Sequence, residues 1–181
     1  MTRAAIIPAG PDPFLLRDWF AHYERWADAV DELRVLVCGI EDDEAIEYIT
    51  DLPDNVSITF SGRRIEHGQA IAKLLSWTDA DHVMLCEDDA FVRRPGAVDA
   101  AFREVESGAV DIVGSPRTSV TPEIAAAAEA RFGPPPIVDS AESGHSLWPC
   151  FLFARRDTLL ATDRNFGAHG WLPGEFIPEL N

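Results

Sequence analysis

Three consecutive acidic residues give the strongest chemical signal in the sequence. Glu87, Asp88 and Asp89 directly follow the apolar run His82–Cys86, which has the composition of a short buried strand. Carboxylates held this close together resist ionising jointly unless a cation joins them. Hard oxygen ligands favour Mg²⁺ or Mn²⁺, and Mg²⁺ usually binds one or two carboxylates together with substrate phosphates. The triplet predicts a divalent cation that bridges the protein to a diphosphate; the alternative is a solvated acidic turn before the helix that opens at Pro95.

The elements that must position these acids alternate between strands and helices. Short apolar runs predict strands over residues 4–7, 33–38, 56–60, 82–86, 110–113 and 152–154. Asp12 and Pro13 predict a helix start, with an apolar and aromatic stripe continuing to Val30. Further helices are predicted over residues 45–49, 68–77, 96–106, 125–131 and 157–162. This order predicts an α/β fold, a layered α/β/α arrangement with a mostly parallel central sheet, whose ligands lie outside the carboxyl ends of the strands.

Composition and charge narrow the classes of function. The chain has 181 residues, a size that suits one domain, and its 31 acidic against 15 Lys and Arg residues give a net charge of −16. Such a field repels nucleic-acid phosphates and anionic lipid, so neither is expected as a partner. No apolar run reaches the roughly 18 residues of a membrane span, and the N-terminus does not read as a signal peptide. We therefore expect a soluble cytoplasmic protein without an integral membrane segment.

The cysteines do not indicate a disulfide framework or a metal site. Cys38, Cys86 and Cys150 are widely separated and each lies in an apolar stretch. Free cysteine behaves as a small hydrophobic residue and is often buried. We therefore predict that all three are reduced residues of the core.

Two segments together resemble a known family. The run over residues 68–75 (GQAIAKLL), followed by residues 81–89 (DHVMLCEDD), resembles the core of GT-A glycosyltransferases, particularly those of family 2. In that family a helix beginning near a glycine precedes a strand that ends in an acidic DxD-like motif, here Glu-Asp-Asp. The resemblance covers about residues 3–115, and more loosely residues 148–156. It implies one GT-A-like domain over residues 1–181, either a short variant or a chain truncated at its C-terminus.

The resemblance also implies roles for the acidic motif. Asp89 matches its last acid and would ligate Mg²⁺ or Mn²⁺. Glu87 matches the first acid and would contact the ribose of a sugar nucleotide or the metal. Asp88 lies between them in the same nucleotide-binding motif, and His169 would be a late additional metal ligand.

The remaining residues implied for nucleotide binding lie in the loops that follow the predicted strands. They are Pro8, Ala9 and Gly10 after the first strand, Glu41 or Asp42 after the second, Arg63 or Arg64 after the third, and Gly68 at the next helix. Glu41 or Asp42 would replace the base-binding acid that the family carries in a DDGS-like turn.

The implied activity is transfer of a hexose-type sugar from a UDP- or GDP-linked donor to an unknown acceptor, a glycan, a lipid or a small molecule. Inversion at the anomeric carbon needs a general base, for which Glu175 is the first candidate and Glu142 and Glu179 are rivals. Two alternatives stay open. One is a catalytically degenerate or incomplete domain that binds a nucleotide sugar or a partner protein. The other is a nucleotidyltransferase of related fold.

Overall fold

The computed structural model describes residues 1–41, 52–116 and 147–161. Its strands are β1 (Arg3–Ala9), β2 (Glu32–Cys38), β3 (Val56–Ser61), β4 (His82–Cys86), β5 (Ile112–Pro116) and β6 (Leu147–Arg155). Its helices are α1 (Pro13–Tyr23), α2 (His67–Trp77), α3 (Gly96–Glu106) and α4 (Arg156–Ala161), with a short 3₁₀ helix at Ala27–Ala29. The predicted helices at 45–49 and 125–131 lie outside the described residues.

The six strands form one mixed sheet in the order β3-β2-β1-β4-β6-β5. The pairs β3–β2, β2–β1 and β1–β4 are parallel, whereas β6 is antiparallel to both of its neighbours. The mostly parallel sheet predicted from the alternating pattern is therefore confirmed. The insertion of the last strand between β4 and β5 is a feature that the pattern did not predict.

Helices cover both faces of the sheet and create two apolar cores. On one face α1 and α3 pack on alternate strand residues, for example Trp19 and Phe102 beside Ile7 and Val35. On the opposite face α2 packs its buried residues against the intervening strand positions, Ile6, Leu36, Cys38, Val83 and Leu85. Because successive side chains of a strand point to opposite faces, near-continuous apolar strands supply both cores. This is the predicted α/β/α layering.

Helix α1 begins where the sequence predicted and ends earlier. The Asp12 carboxylate accepts hydrogen bonds from the N–H groups of Phe14 and Leu15, and Pro13 occupies the first turn. The prediction that the helix continues to Val30 is wrong, because α1 ends at Tyr23. Beyond the helix, the backbone N–H of Trp26 donates to the backbone O of Tyr23, which forms a tighter turn. The Trp26 ring packs edge-on against the Tyr23 ring, with centroids 4.9 Å apart. Trp19, Tyr23 and Trp26 of the predicted stripe are thus buried, although one helix does not carry all three.

The structure describes the side chains of two of the three predicted core cysteines. Cys38 and Cys86 are buried and free, as expected. The side chain of Cys150 is outside what the structure describes. Within the described ranges, no helix is both long and apolar enough to cross a bilayer.

Candidate functional site

The pairing between the central strands β1 and β4 ends before their carboxyl ends, and two predicted residues, Gly10 and Asp88, meet just beyond it. Strand β1 pairs with β4 only as far as Ile6 opposite Leu85, but it pairs with β2 as far as Ala9 opposite Val37. Pro8 lies beyond the last pair with β4 and has no N–H to offer to a ladder. Backbone pairing between β1 and β4 therefore stops before the last residue of either strand. Such points at the carboxyl edge are the usual ligand sites of open α/β sheets.

The three acids of the motif form a turn and point to different partners. The Ala90 N–H bonds to Glu87 O at 3.1 Å, which closes the turn. The Asp88 carboxylate accepts a hydrogen bond from the Gly10 N–H, with 2.7 Å between Oδ2 and N. Glu87 Oε1 lies 3.7 Å from Nε2 of His67, the first residue of α2. Asp89 is exposed.

Burial and charge perturb two titratable groups at this edge in opposite directions. Burial raises the pKa of Asp88, and the Asp89 charge adds to this, while the Gly10 N–H opposes it by stabilising the carboxylate. Burial lowers the pKa of His67, and the Asp89 charge partly opposes that change. At neutral pH His67 is therefore a neutral imidazole beside the acidic turn. Negative charge is concentrated at the end of β4, as the sequence predicted.

A second group of predicted and neighbouring residues lies between the ends of β2 and β3. Gly39 has a φ of +96° and its N–H bonds to Ser61 O at 2.8 Å, so the two strand ends are tied together by a turn that favours glycine. The Glu41 side chain then lies directly on Gly62: a Cβ added there would be 1.7 Å from Glu41 Oε1. Gly62 thus leaves room at the same sheet edge for Glu41, one of the two acids predicted to meet the base.

The other predicted residues divide between this edge and the segments outside the described ranges. Pro8 and Ala9 are the buried last residues of β1, and Arg63 is exposed in the connection from β3 to α2. Gly68 is buried in the first turn of α2. Five predicted residues lie outside the described ranges and remain predictions: Asp42, His169, Glu175 and the rival bases Glu142 and Glu179.

The carboxylate oxygens of the acidic turn match what a divalent cation requires when a diphosphate supplies its other ligands. Across the described ranges, no group of three or more His, Cys, Asp or Glu side chains is arranged to hold a metal ion. Mg²⁺ needs only one or two protein carboxylates when phosphate oxygens and water complete its shell. The exposed Asp89 and the neighbouring Glu87 offer such oxygens, whereas one Asp88 oxygen already accepts the Gly10 N–H. The oxygen chemistry fits a cation shared with a diphosphate.

His67 lies at the candidate site, and the sequence analysis did not name it. Its side chain is largely buried, and its Nε2 faces Glu87 at the acidic turn. The signal was present in the sequence, because a histidine immediately before Gly68 opens the helix that follows a parallel strand. Helices in this position begin at the carboxyl edge of the sheet, so a polar first residue is a candidate for the site.

Comparison with known proteins defines the fold but not the activity. No protein-family model and no curated protein sequence matches the chain. Solved structures do match: a mannosyltransferase from Pyrobaculum calidifontis in complex with GDP-Man and Mn²⁺ has a TM-score of 0.55 and 15% identity, covering 65% of this chain and 36% of that one. Glucosyl-3-phosphoglycerate synthase from Mycobacterium tuberculosis in complex with UDP has a TM-score of 0.58 and 20% identity, covering 87% and 58%.

The chain has a GT-A-type fold. A nucleotidyltransferase shares that architecture: CMP:2-keto-3-deoxy-manno-octonic acid synthetase complexed with CTP has a TM-score of 0.55 and 16% identity, covering 88% of this chain and 76% of that one. The chain spans 36% and 58% of the lengths of the two sugar transferases. At these identities the likeness concerns the fold, and the reaction must be argued from the site.

Proposed function

We propose that this chain is a metal-dependent glycosyltransferase domain that uses a UDP- or GDP-linked sugar donor. The observation that carries the proposal is the meeting of two segments 78 residues apart, the β1 loop at Gly10 and the acidic turn at Asp88. They meet just beyond the end of the β1–β4 ladder, at the carboxyl edge where open α/β sheets bind ligands. The fold shared with transferases complexed with GDP-Man and UDP supports this class of donor.

The proposed roles follow from where each side chain lies. Glu41, above Gly62, would accept a hydrogen bond from the base, and Gly10 would admit the nucleotide close to the backbone. Arg63 would pair with the diphosphate. Asp89 and Glu87 would hold Mg²⁺ or Mn²⁺, which when bound stabilises the negative charge of the departing nucleoside diphosphate. The neutral His67 imidazole would orient the Glu87 carboxylate within the acidic turn.

The acceptor side of the reaction depends on residues outside the described ranges. Glu175 stays the proposed general base, which would take the proton of an acceptor hydroxyl as that oxygen attacks the anomeric carbon. We propose a glycan, a lipid or a small molecule as the acceptor. We also propose that the domain acts in the cytoplasm and binds no nucleic acid, because its net charge of −16 repels polyanions.

Calorimetric titration of UDP and GDP tests the donor site directly. Each nucleotide is titrated with and without Mn²⁺ into the wild type and into Asp89→Ala, with Asp157→Ala on the exposed surface of α4 as the matched control. We expect Mn²⁺-dependent binding of one nucleotide, lost in Asp89→Ala and kept in Asp157→Ala. Failure of folded wild type to bind either nucleotide would reject the proposal.

A nucleotidyltransferase is the second candidate, favoured by one observation. The CMP-sugar synthetase matches over 76% of its own length, more than either sugar transferase does. The same calorimetry with CTP and Mn²⁺ separates the candidates. Preference for CTP, followed by release of pyrophosphate when a sugar acid is added, would favour the nucleotidyltransferase. Preference for UDP or GDP would favour the glycosyltransferase. Mn²⁺-dependent binding without release of nucleoside diphosphate from any sugar nucleotide would instead indicate a domain that only binds.

A further inference from the structure

Sheet pairing does not connect the acidic turn (residues 87–90) to the loop that follows β1 at Gly10 (the β1 loop). A stable arrangement of the two segments needs another interaction, here called the tie. The ladder between β1 and β4 ends at Ile6 and Leu85, so Gly10 lies four residues beyond it and Asp88 lies three residues beyond it. Within the ladder, backbone hydrogen bonds fix the distance between the two strands. Beyond the ladder, a constant distance between the two segments requires a hydrogen bond from a side chain.

The Asp88 carboxylate makes that tie. Its Oδ2 accepts the Gly10 N–H at 2.7 Å, a length typical of a hydrogen bond with a charged acceptor. The contact is partly buried, which limits the competition from water. A methyl group added at Gly10 would lie 3.6 Å from the same oxygen, an ordinary van der Waals distance, so the bond does not itself require glycine there.

The rest of the acidic turn is supported independently of Asp88. The Trp19 indole N–H donates to Ala90 O at 3.1 Å, and His22 Nε2 lies 2.6 Å from Val92 O. Helix α1 therefore holds the segment after the turn. Removing the Asp88 carboxylate should free the β1 loop from the turn without detaching the turn from the domain.

We propose that Asp88 is a positioning residue that fixes the β1 loop relative to Glu87 and Asp89, and that it is not a metal ligand. The inference rests on the proposed function, because it assigns the loop to the nucleotide and the two flanking acids to the cation. The tie sets the distance between these two halves of the donor site. The Asp88 carboxylate binds the Gly10 N–H of the protein itself, whereas Glu87 and Asp89 are assigned to the ligand.

The test compares Asp88→Asn with Asp88→Ala. The asparagine side-chain carbonyl can accept the Gly10 N–H, but it lacks the negative charge that a metal ligand supplies; alanine provides neither. The first measurement is hydrogen exchange of the Gly10 amide by NMR, without nucleotide or metal. We expect exchange about tenfold or more faster in Asp88→Ala and protection largely restored in Asp88→Asn.

The second measurement is calorimetry of UDP and GDP with Mn²⁺ on the same variants. We expect affinity reduced about tenfold in Asp88→Ala and brought back by Asp88→Asn to within about threefold of the wild type. Asp89→Asn serves as the matched control and should lose the Mn²⁺-dependent binding of nucleotide. A thermal unfolding curve for each variant separates the affinity change from a general loss of folding.

Two results would overturn the inference. Unchanged Gly10 exchange in Asp88→Ala would show that the tie does not hold the loop. Restored Gly10 protection in Asp88→Asn with nucleotide binding as weak as in Asp88→Ala would show that Asp88 acts through its charge, as a ligand of the metal. Failure of wild type to bind nucleotide is a different outcome: it rejects the proposed donor site, and with it the role assigned here to Asp88.

Discussion

Replacing Arg3 by methionine should destabilise the domain in a pH-dependent way. The Arg3 guanidinium donates from Nε and Nη2 to Glu106 at 2.6 and 2.7 Å and from Nη1 to Asp99 at 2.9 Å. It also lies 5.1 Å from the Phe102 ring centroid. These contacts tie the first strand to α3 at the edge opposite the candidate site. Arg3→Met keeps the aliphatic stem and removes the charge.

The magnitude follows from the Arg3–Glu106 pair, whose side chains are only 19% and 18% exposed. Hydrogen bonds to charged groups each contribute about 1.5–3 kcal/mol, and the two bonds here share one carboxylate, so we expect a loss of about 2–3 kcal/mol. At about 2–4 °C per kcal/mol for a chain of this size, the melting temperature should fall by about 4–12 °C. The exposed Arg17–Asp18 pair offers the control: Arg17→Met should cost less than about 1 kcal/mol.

The pH dependence has a defined sign. Arg3 lowers the pKa of Glu106 and of Asp99 in the folded protein, chiefly through the side-chain hydrogen bonds. The stabilisation is therefore fully present above the unfolded carboxylate pKa, about 4, and is lost as the pH falls through the lower folded value. The difference between wild type and Arg3→Met should shrink below about pH 4. Urea unfolding followed by tryptophan fluorescence at pH 7 and pH 3 measures it; a difference that is absent at pH 7, or equal at both values, would refute the reasoning.

Two further predictions concern the site edge and the first helix. In Gly62→Ala the new methyl group would meet Glu41 Oε1, so the flexible carboxylate should move at little cost in unfolding free energy; calorimetry should show UDP or GDP binding weakened about tenfold, and unchanged affinity would remove Glu41 from the nucleotide site. In Asp12→Ala the cap of α1 is lost, and urea unfolding should show a loss of about 1 kcal/mol, against less than about 0.5 kcal/mol for the exposed control Asp18→Ala.

The local elements were predictable because their signals are local. Apolar runs such as His82–Cys86 predicted strands, and the pairing of Asp12 with Pro13 predicted the start of α1, since capping depends on neighbours within one turn. The end of α1 was missed because Trp26 leaves the helix to pack edge-on against Tyr23, a gain that helical spacing does not reveal. Periodicity identifies buried side chains, but it does not determine whether one helix carries them.

The sequence by itself determined the alternation of strands and helices, the near-continuous apolar strands and the acidic residues that end β4. Only the tertiary structure decided that β6 enters between β4 and β5, and that the β1–β4 ladder ends before Gly10. It alone brought the Asp88 carboxylate to a backbone N–H 78 residues away. The physical reason is that burial patterns are set by neighbouring residues, whereas strand order and ladder length depend on how the whole chain packs, which no single segment encodes.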